Sequence, residues 1–300
     1  MKRCRPWLLT AVAISLFAGE WLAQEAKPPQ TPAGVKALRD VEYVPGGHER
    51  QKLDLYVPEK AEGALPLVVW IHGGGWRGGS KDRCPAMPFA AKGYVVASVN
   101  YRLSQHAPFP AQIEDCKAAI RWLRANAKNY HIDTNHVGVW GASAGGHLVA
   151  LLGTSGGVKA VEGSLGNPDQ SSKVQAVVDW FGPADFKPIA ERDANPNSTI
   201  GQLLGGAPKD NMEKAILASP ITHVTKDTPP FLIMHGDKDN LVNFHQSEIL
   251  EAALKKAGVE VTLVKLEGAG HGGAQFQTDE VKKQILEFFD KHLKKTTASK

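Results

Sequence analysis

The 300-residue chain is short of cysteine and of net charge, and each shortage excludes a class of protein. Three cysteines are too few for a disulfide scaffold or a cysteine-rich zinc module. The 35 basic and 31 acidic residues leave a net charge of only +4, without the clustered basic face that nucleic-acid binding needs. With 42% hydrophobic residues, the chain is nevertheless predicted to bury a core rather than remain disordered.

No apolar run is long enough to cross a bilayer, yet the N-terminus has the pattern of an export signal. Basic residues at positions 2, 3 and 5 precede Trp7–Ala18, a run of about 12 apolar residues that is short of the ~20 a spanning helix needs. The pattern predicts a signal peptide over residues 1–24 and a secreted or periplasmic protein without membrane contact after cleavage. An uncleaved membrane anchor is the alternative. The proline-containing residues 25–40 are predicted to be a linker.

Cys4 leaves with the signal peptide, and two cysteines remain. Cys84 and Cys116 could pair in an oxidising compartment, or both could be small buried thiols. The helical pattern around Cys116 favours two buried thiols.

The pattern of the remaining chain predicts an α/β fold. Leu65–Ile71 and Tyr94–Val99 are almost continuously apolar, as strands covered on both faces are. Helical spacing follows at residues 110–130, 244–257 and 279–293. Alternating strands and helices predict a doubly wound, mostly parallel sheet over residues 41–293, with an antiparallel pair at its edge. Two irregular stretches, 154–172 and 184–228, are interpreted as insertions or a small lid, and 294–300 as a basic tail.

The first candidate for chemistry is Gly141-Ala142-Ser143-Ala144-Gly145, a G-x-S-x-G motif. An apolar strand precedes it and a helical pattern follows, which is the setting of a nucleophile elbow. Such a sharp turn needs small neighbours, and the motif supplies them. Ser143 is therefore the predicted nucleophile; the alternative is an ordinary serine in a glycine-rich helix cap.

A glycine run, His72-Gly73-Gly74-Gly75-Trp76, follows the strand that ends at Ile71. Consecutive glycines allow backbone N–H groups to converge on one point, where they can stabilise the oxyanion of a tetrahedral intermediate. The amides of Gly74, Gly75 and Ala144 are the predicted donors. The alternatives are a flexible turn or a phosphate cradle, but no Gly-Lys-Ser/Thr accompanies the glycines.

The base and the acid come later in the chain. His271 is the one histidine after Ser143 that lies in a glycine-flanked loop, between a predicted strand and the last helix. It is the predicted general base. Asp237 and Asp239 both follow an earlier strand. Asp239 is preferred as the acid because it lies at the loop tip, whereas Asp237 is placed to brace the turn.

Together the motifs H-G-G-G-W, G-x-S-x-G, H-G-D-x-D-x-x-V and the late G-H-G resemble the α/β-hydrolase fold. Within it they resemble hormone-sensitive-lipase-type carboxylesterases, and more closely the secreted acetylxylan-esterase-like and feruloyl-esterase-like enzymes. The resemblance covers residues 41–293 and implies Ser143, Asp239 and His271 as the catalytic residues. The D-P-L-x-D acid loop and the large N-terminal cap of the lipase-type enzymes are missing, which makes lipid-like substrates less expected.

The expected function is hydrolysis of short-chain or aryl carboxylic esters, including acetyl or feruloyl esters of plant polysaccharide, without a metal or an organic cofactor. The expected partner is a small-molecule or carbohydrate ester. Trp76 and Trp180 are predicted to line the substrate pocket, with ordinary core packing as the alternative. The enzymatic alternative is a serine peptidase or amide deacylase of the same fold. A non-catalytic scaffold is disfavoured because each expected catalytic residue is present.

Overall fold

A computed structural model describes residues 30–294, which form one eight-stranded sheet in the order β1-β2-β4-β3-β5-β6-β7-β8. Strand β2 is antiparallel to both neighbours, and all pairs from β4 to β8 are parallel. The predicted doubly wound sheet with an antiparallel edge pair is confirmed. The strands are β1 Val35–Glu42, β2 Lys52–Pro58, β3 Leu65–Ile71, β4 Val95–Val99, β5 Ile132–Ala142, β6 Ala176–Trp180, β7 Phe231–Gly236 and β8 Val261–Leu266.

Strand β1 corrects the predicted linker. The linker was expected to extend to residue 40, but β1 begins at Val35, which pairs with Pro58 of β2. Charged residues such as Lys36, Arg39 and Asp40 hide the strand in the sequence, and an edge strand tolerates them because one side is open to solvent. The predicted signal peptide and its cleavage site, the start of the linker and residues 295–300 of the tail lie outside the described residues.

Helices cover both faces of the sheet, so the central strands are mostly apolar, with Ser98, Asp179 and His235 among their buried polar residues. Helices α1, α2 and α6 pack on one face, where Leu67, Val69 and Ile71 of β3 point. Helix α7 and the 3₁₀ turn Met87–Lys92 cover the other, beneath Val68 and Trp70. The helices are α1 Ala111–Ala125, α2 Ala144–Thr154, α3 Lys187–Ala190, α4 Thr199–Leu204, α5 Met212–Ala218, α6 His245–Lys256 and α7 Asp279–Leu293.

The two described cysteines lie in different cores. Cys84 is buried on the α7 face and Cys116 on the opposite face, and both are free thiols. Because the sheet separates them, the interpretation as two buried thiols is confirmed. No helix within residues 30–294 combines the length and the hydrophobicity that crossing a bilayer requires.

The insertion between β6 and β7 carries α3, α4 and α5 and packs over the carboxyl edge of the sheet. Phe186 contacts the ring of Trp76 with centroids 5.8 Å apart, and the carbonyl of Ala218 lies 2.7 Å from the Nε2 atom of His147 on α2. The insertion therefore contacts the glycine loop that ends at Trp76 and the first turn of α2, which follows the G-x-S-x-G motif.

Candidate active site

Ser143 occupies a strained turn between β5 and α2. Its backbone angles, φ 58° and ψ −120°, are unusual for a residue with a side chain. The turn closes tightly: a Cβ atom on Gly145 would lie 2.1 Å from the carbonyl oxygen of Ile71, and one on Gly146 would lie 2.4 Å from Oδ1 of Asp179. A side chain would clash at both positions, so only glycine fits there. The tight turn places the Ser143 hydroxyl at the N-terminal, positive end of α2.

The three residues predicted to act together are in hydrogen-bond contact. Ser143 Oγ lies 2.7 Å from His271 Nε2, and His271 Nδ1 lies 2.7 Å from Asp239 Oδ2. The Asp239 carboxylate is buried, whereas the His271 side chain is 18% exposed. The serine can therefore lose a proton to an imidazole whose other nitrogen is held by a carboxylate.

The structure distinguishes the two candidate acids. Asp239 Oδ1 accepts hydrogen bonds from the amides of Leu241 and Val242 at 2.8 and 2.9 Å. Burial alone would raise the pKa of Asp239, but these amides and the His271 ring together hold it below its ordinary value. Asp237 instead accepts from the amide of Gly268 at 2.7 Å, which is the bracing contact expected for it.

The glycine loop after β3 lies directly beside the elbow. A Cβ atom on Gly73 would be 3.3 Å from Cβ of Ser143, and Gly74 and Gly75 have φ values of 111° and 60°. Within residues 30–294 the amides of Gly74, Gly75 and Ala144 have no hydrogen-bond acceptor. Three N–H groups next to the serine are thus available to a bound oxyanion.

Two residues behind this loop were not predicted to contribute. His72 Nδ1 lies 2.7 Å from the carbonyl oxygen of Gly73, and its Nε2 atom lies 3.1 Å from a guanidinium nitrogen of Arg50. Burial, together with the nearby Arg50 charge, lowers the pKa of His72 to about 4, so the ring is neutral and donates from Nδ1. His72 begins the H-G-G-G-W motif and could have been considered from it, whereas no sequence pattern indicated Arg50.

The two predicted pocket tryptophans are both buried. Trp76 is 4% exposed, and its indole N–H donates to Nδ1 of His147 at 3.2 Å; these are contacts of the packing alternative, and its role in the substrate pocket stays a prediction. Trp180 is 3% exposed and stacks edge-to-face on Trp70 and Trp140.

A cleft of about 1350 Å³ adjoins the elbow on the α7 side of the sheet. Trp180, Phe181 and Phe276 contribute to its apolar lining, and Arg83 and Lys282 add positive charge. Phe181 also packs against the His271 ring with centroids 4.6 Å apart. The cleft therefore begins beside the His271 imidazole.

A group of possible metal ligands, His48, Glu49 and His106, lies at the same edge with its ligand atoms within 4.8 Å of one another. The amides of Arg50 and Leu103 donate to Nδ1 of the two rings. Each neutral ring then carries its proton on Nε2, which leaves no free nitrogen for a metal ion.

The comparisons with known proteins agree with this geometry. The family model BD-FAE matches residues 53–254. The chain belongs to this family. It is 32% identical over 276 residues to the esterase LipC of Mycobacterium tuberculosis, covering 85% of this chain and 66% of LipC. It is also 32% identical to the esterase LipQ of that organism, covering 77% of this chain and 56% of LipQ. The chain thus spans about half to two thirds of these relatives.

Solved structures with the same fold include carbohydrate esterases. A truncated carbohydrate esterase from gut microbiota has a TM-score of 0.83 and 34% identity, with 90% of this chain and 100% of that chain covered. An acetyl ester-xyloside bifunctional hydrolase from Caldicellulosiruptor lactoaceticus has a TM-score of 0.67 and 28% identity, with 80% and 87% covered. The predicted α/β-hydrolase fold and esterase family are confirmed.

Proposed function

We propose that this chain is a serine carboxylesterase. One observation carries the proposal: two consecutive 2.7 Å contacts link Ser143, His271 and Asp239 next to backbone amides that have no acceptor within the described residues. A nucleophile, a base with a fixed tautomer and free oxyanion donors are the parts that acyl transfer requires. The esterase names of LipC and LipQ support the same reaction.

The mechanism follows from these contacts. Ser143 Oγ attacks the ester carbonyl while His271 Nε2 takes its proton, and the buried Asp239 carboxylate stabilises the resulting imidazolium. The carbonyl oxygen becomes an oxyanion, which accepts hydrogen bonds from Gly74, Gly75 and Ala144. The carbonyl then reforms, and the alcohol leaves with the proton from His271. A water molecule, deprotonated by His271, releases the acid from the acyl-enzyme.

For the substrate, we propose short-chain or aryl esters, with acetyl or feruloyl groups on plant polysaccharide as the natural class. The proposal is supported by two structural neighbours, a carbohydrate esterase and an acetyl ester-xyloside bifunctional hydrolase. The cleft beside His271, with aromatic lining and charged residues, has the mixed character of a site for a sugar or phenolic ring. Export by a signal peptide over residues 1–24 would bring the enzyme to such a substrate.

The deciding experiment is the Ser143→Ala variant with p-nitrophenyl acetate as substrate. We expect kcat/KM to fall by about 10⁴-fold, because loss of the nucleophile leaves only binding and oxyanion stabilisation. Ser164→Ala, at an exposed serine of another loop, should leave the rate unchanged. Undiminished turnover by Ser143→Ala would overturn the mechanism.

A substrate panel tests the finer proposal. Acetylated xylan, methyl ferulate, short and long p-nitrophenyl esters and a peptide anilide should be compared at equal enzyme concentration. Turnover of the acetyl or feruloyl esters well above that of the long-chain ester is expected. Fast cleavage of the anilide with little ester hydrolysis would instead indicate a peptidase or amide deacylase.

A further inference from the structure

Asp239 is in contact with two histidines. Its Oδ2 atom lies 2.7 Å from Nδ1 of His271 and 3.2 Å from Nε2 of His235. His235 is fully buried at the end of β7, and its Nδ1 atom lies 2.7 Å from Oγ of Ser247 on α6. The hydrogen-bonded chain of the active site therefore continues from Asp239 into the protein interior.

The protons in this extension can be assigned from the partners. His235 Nε2 faces Asp239 Oδ2 and also the carbonyl oxygen of Val242 at 2.9 Å. Both groups only accept hydrogen bonds, so Nε2 must carry a proton and donate it. In the neutral ring Nδ1 is then an acceptor, and Ser247 must be its donor. Ser247 in this way selects the tautomer of His235 that donates toward Asp239.

We propose that His235, held in this tautomer by Ser247, is a positioning residue for the catalytic acid. The inference rests on the proposed function. Each carboxylate oxygen of Asp239 then has two donors: the amides of Leu241 and Val242 on Oδ1, and the two imidazoles on Oδ2. The His235 donor withdraws part of the negative charge from the oxygen that faces His271, and it opposes rotation of the carboxylate.

The surroundings of His235 keep it a neutral donor. The titratable groups that face it are Asp239 from its own loop and, beyond that carboxylate, His271 from the loop after β8. From the other sides the rings of Phe181 and Phe244 pack against it, with centroids 6.2 and 5.4 Å away. Burial lowers the pKa of His235, although Asp239 opposes the shift. His235 thus does not compete with His271 for the proton of Ser143.

The test compares His235→Leu with His235→Gln in the full chain, using p-nitrophenyl acetate. Leucine removes the donor, whereas the glutamine amide can place an N–H near the position of Nε2. For His235→Leu we expect kcat to fall about tenfold, the scale of one lost hydrogen bond to a charged group. The acidic limb of the kcat/KM profile should move to higher pH, because the less neutralised Asp239 favours the protonated base. In His235→Gln, kcat should be within about threefold of the parent value, and the acidic limb should lie within a few tenths of a pH unit of the parent's.

A control and a second variant keep the outcome decisive. His245→Gln replaces an exposed histidine that pairs with Glu248 and should change neither quantity. If His235→Leu does not fold, Ser247→Ala replaces it, with a smaller shift of the acidic limb in the same direction expected. In proton NMR spectra, the low-field resonance of the Asp239–His271 hydrogen bond should shift in each active variant that loses the His235 donor.

Two results would overturn the inference. One is a fall in activity with an unmoved acidic limb and an unmoved low-field resonance, which is the signature of a purely structural residue. The other is unchanged activity in a folded His235→Leu protein. Failure of the proposed function would show differently, as activity retained by Ser143→Ala.

Discussion

The elbow around Ser143 and the loop that carries His271 meet at the proposed active site, and they contain glycine for different reasons. At the elbow around Ser143, Cβ atoms on Gly145 and Gly146 would lie 2.1 and 2.4 Å from neighbouring atoms. In the loop that carries the base, a Cβ atom on Gly268 would have no neighbour within 4 Å, and one on Gly270 would meet its first at 3.9 Å. The elbow needs glycine for space, whereas the Cβ positions of Gly268 and Gly270 are open.

The difference shows how each catalytic group is held. Packing of α2 against β3 and β6 determines the position of Ser143, so its hydroxyl has little freedom. His271 is held by hydrogen bonds, directly by Asp239 and indirectly by Asp237 through the amide of Gly268, and by its contact with the ring of Phe181. The steric constraint is therefore greater at Gly145 and Gly146 of the elbow than at Gly268 and Gly270 of the base loop.

The largest effect is expected from Gly145→Ala at the elbow. The new methyl group would overlap the carbonyl oxygens of Ile71 and His72, which are backbone atoms and cannot rotate away. The variant should lose at least about 3 kcal/mol of folding free energy together with its esterase activity. Urea unfolding followed by tryptophan fluorescence measures the loss. A folded, active Gly145→Ala protein with an unchanged midpoint would show that the elbow is not sterically determined.

A second prediction concerns the buried carboxyl group of Asp179, which lies against the elbow. Oδ1 of Asp179 accepts from the amide of Gly182 at 2.9 Å, and burial raises the pKa of Asp179 to about 7 from 3.8. Between these two pH values the folded protein binds more protons than the unfolded chain. The stability contributed by the protonated acid is therefore present below about pH 4 and lost as the pH rises through 7.

Asp179→Asn should remove that pH dependence, because the amide keeps an oxygen for Gly182 and cannot ionise. Above pH 7 the variant should be more stable than the parent, by at most about 4 kcal/mol, and near pH 4 the two should be alike. Thermal unfolding at pH 4, 6 and 8 checks this, with Asp169→Asn, at an exposed carboxylate of another loop, as the control. Parallel Tm curves for parent and Asp179→Asn would contradict the buried-acid interpretation.

Local patterns predicted the fold and the three contacting residues because both depend on short stretches of chain. The apolar run Leu65–Ile71 and the spacing of Asp279–Leu293 match β3 and α7 residue for residue. The G-x-S-x-G and glycine-flanked histidine patterns indicated Ser143 and His271 for the same reason. Most of strand β1 was missed, because the charged residues before Val41 resemble a linker and only their pairing with β2 reveals the strand.

Contacts between distant segments could not be predicted in this way. The contacts of His235 could not be predicted, because its partner Ser247 belongs to the next helix and approaches only after the acid loop has turned back. Arg50 lies 22 residues from His72, in a loop without a recognisable motif. The burial of Trp76 under Phe186 could not be predicted either, because it depends on where the insertion packs.

The smallest effects are expected in the base loop. Two of its glycines have open Cβ positions, but only one of them has a left-handed backbone conformation. Gly268 has φ +71° and an open Cβ position. Gly268→Ala should therefore lower the free energy of unfolding by about 1 kcal/mol, because alanine is strained in the left-handed conformation. Gly270 has no such angle, and its nearest neighbour is 3.9 Å away. Gly270→Ala should therefore leave stability within about 0.5 kcal/mol of the parent and kcat within about threefold. Urea unfolding and p-nitrophenyl acetate turnover measured side by side give both numbers. If Gly270→Ala were as damaging as Gly145→Ala, the base loop would be as tightly packed at this position as the elbow, which would contradict the open Cβ position of Gly270.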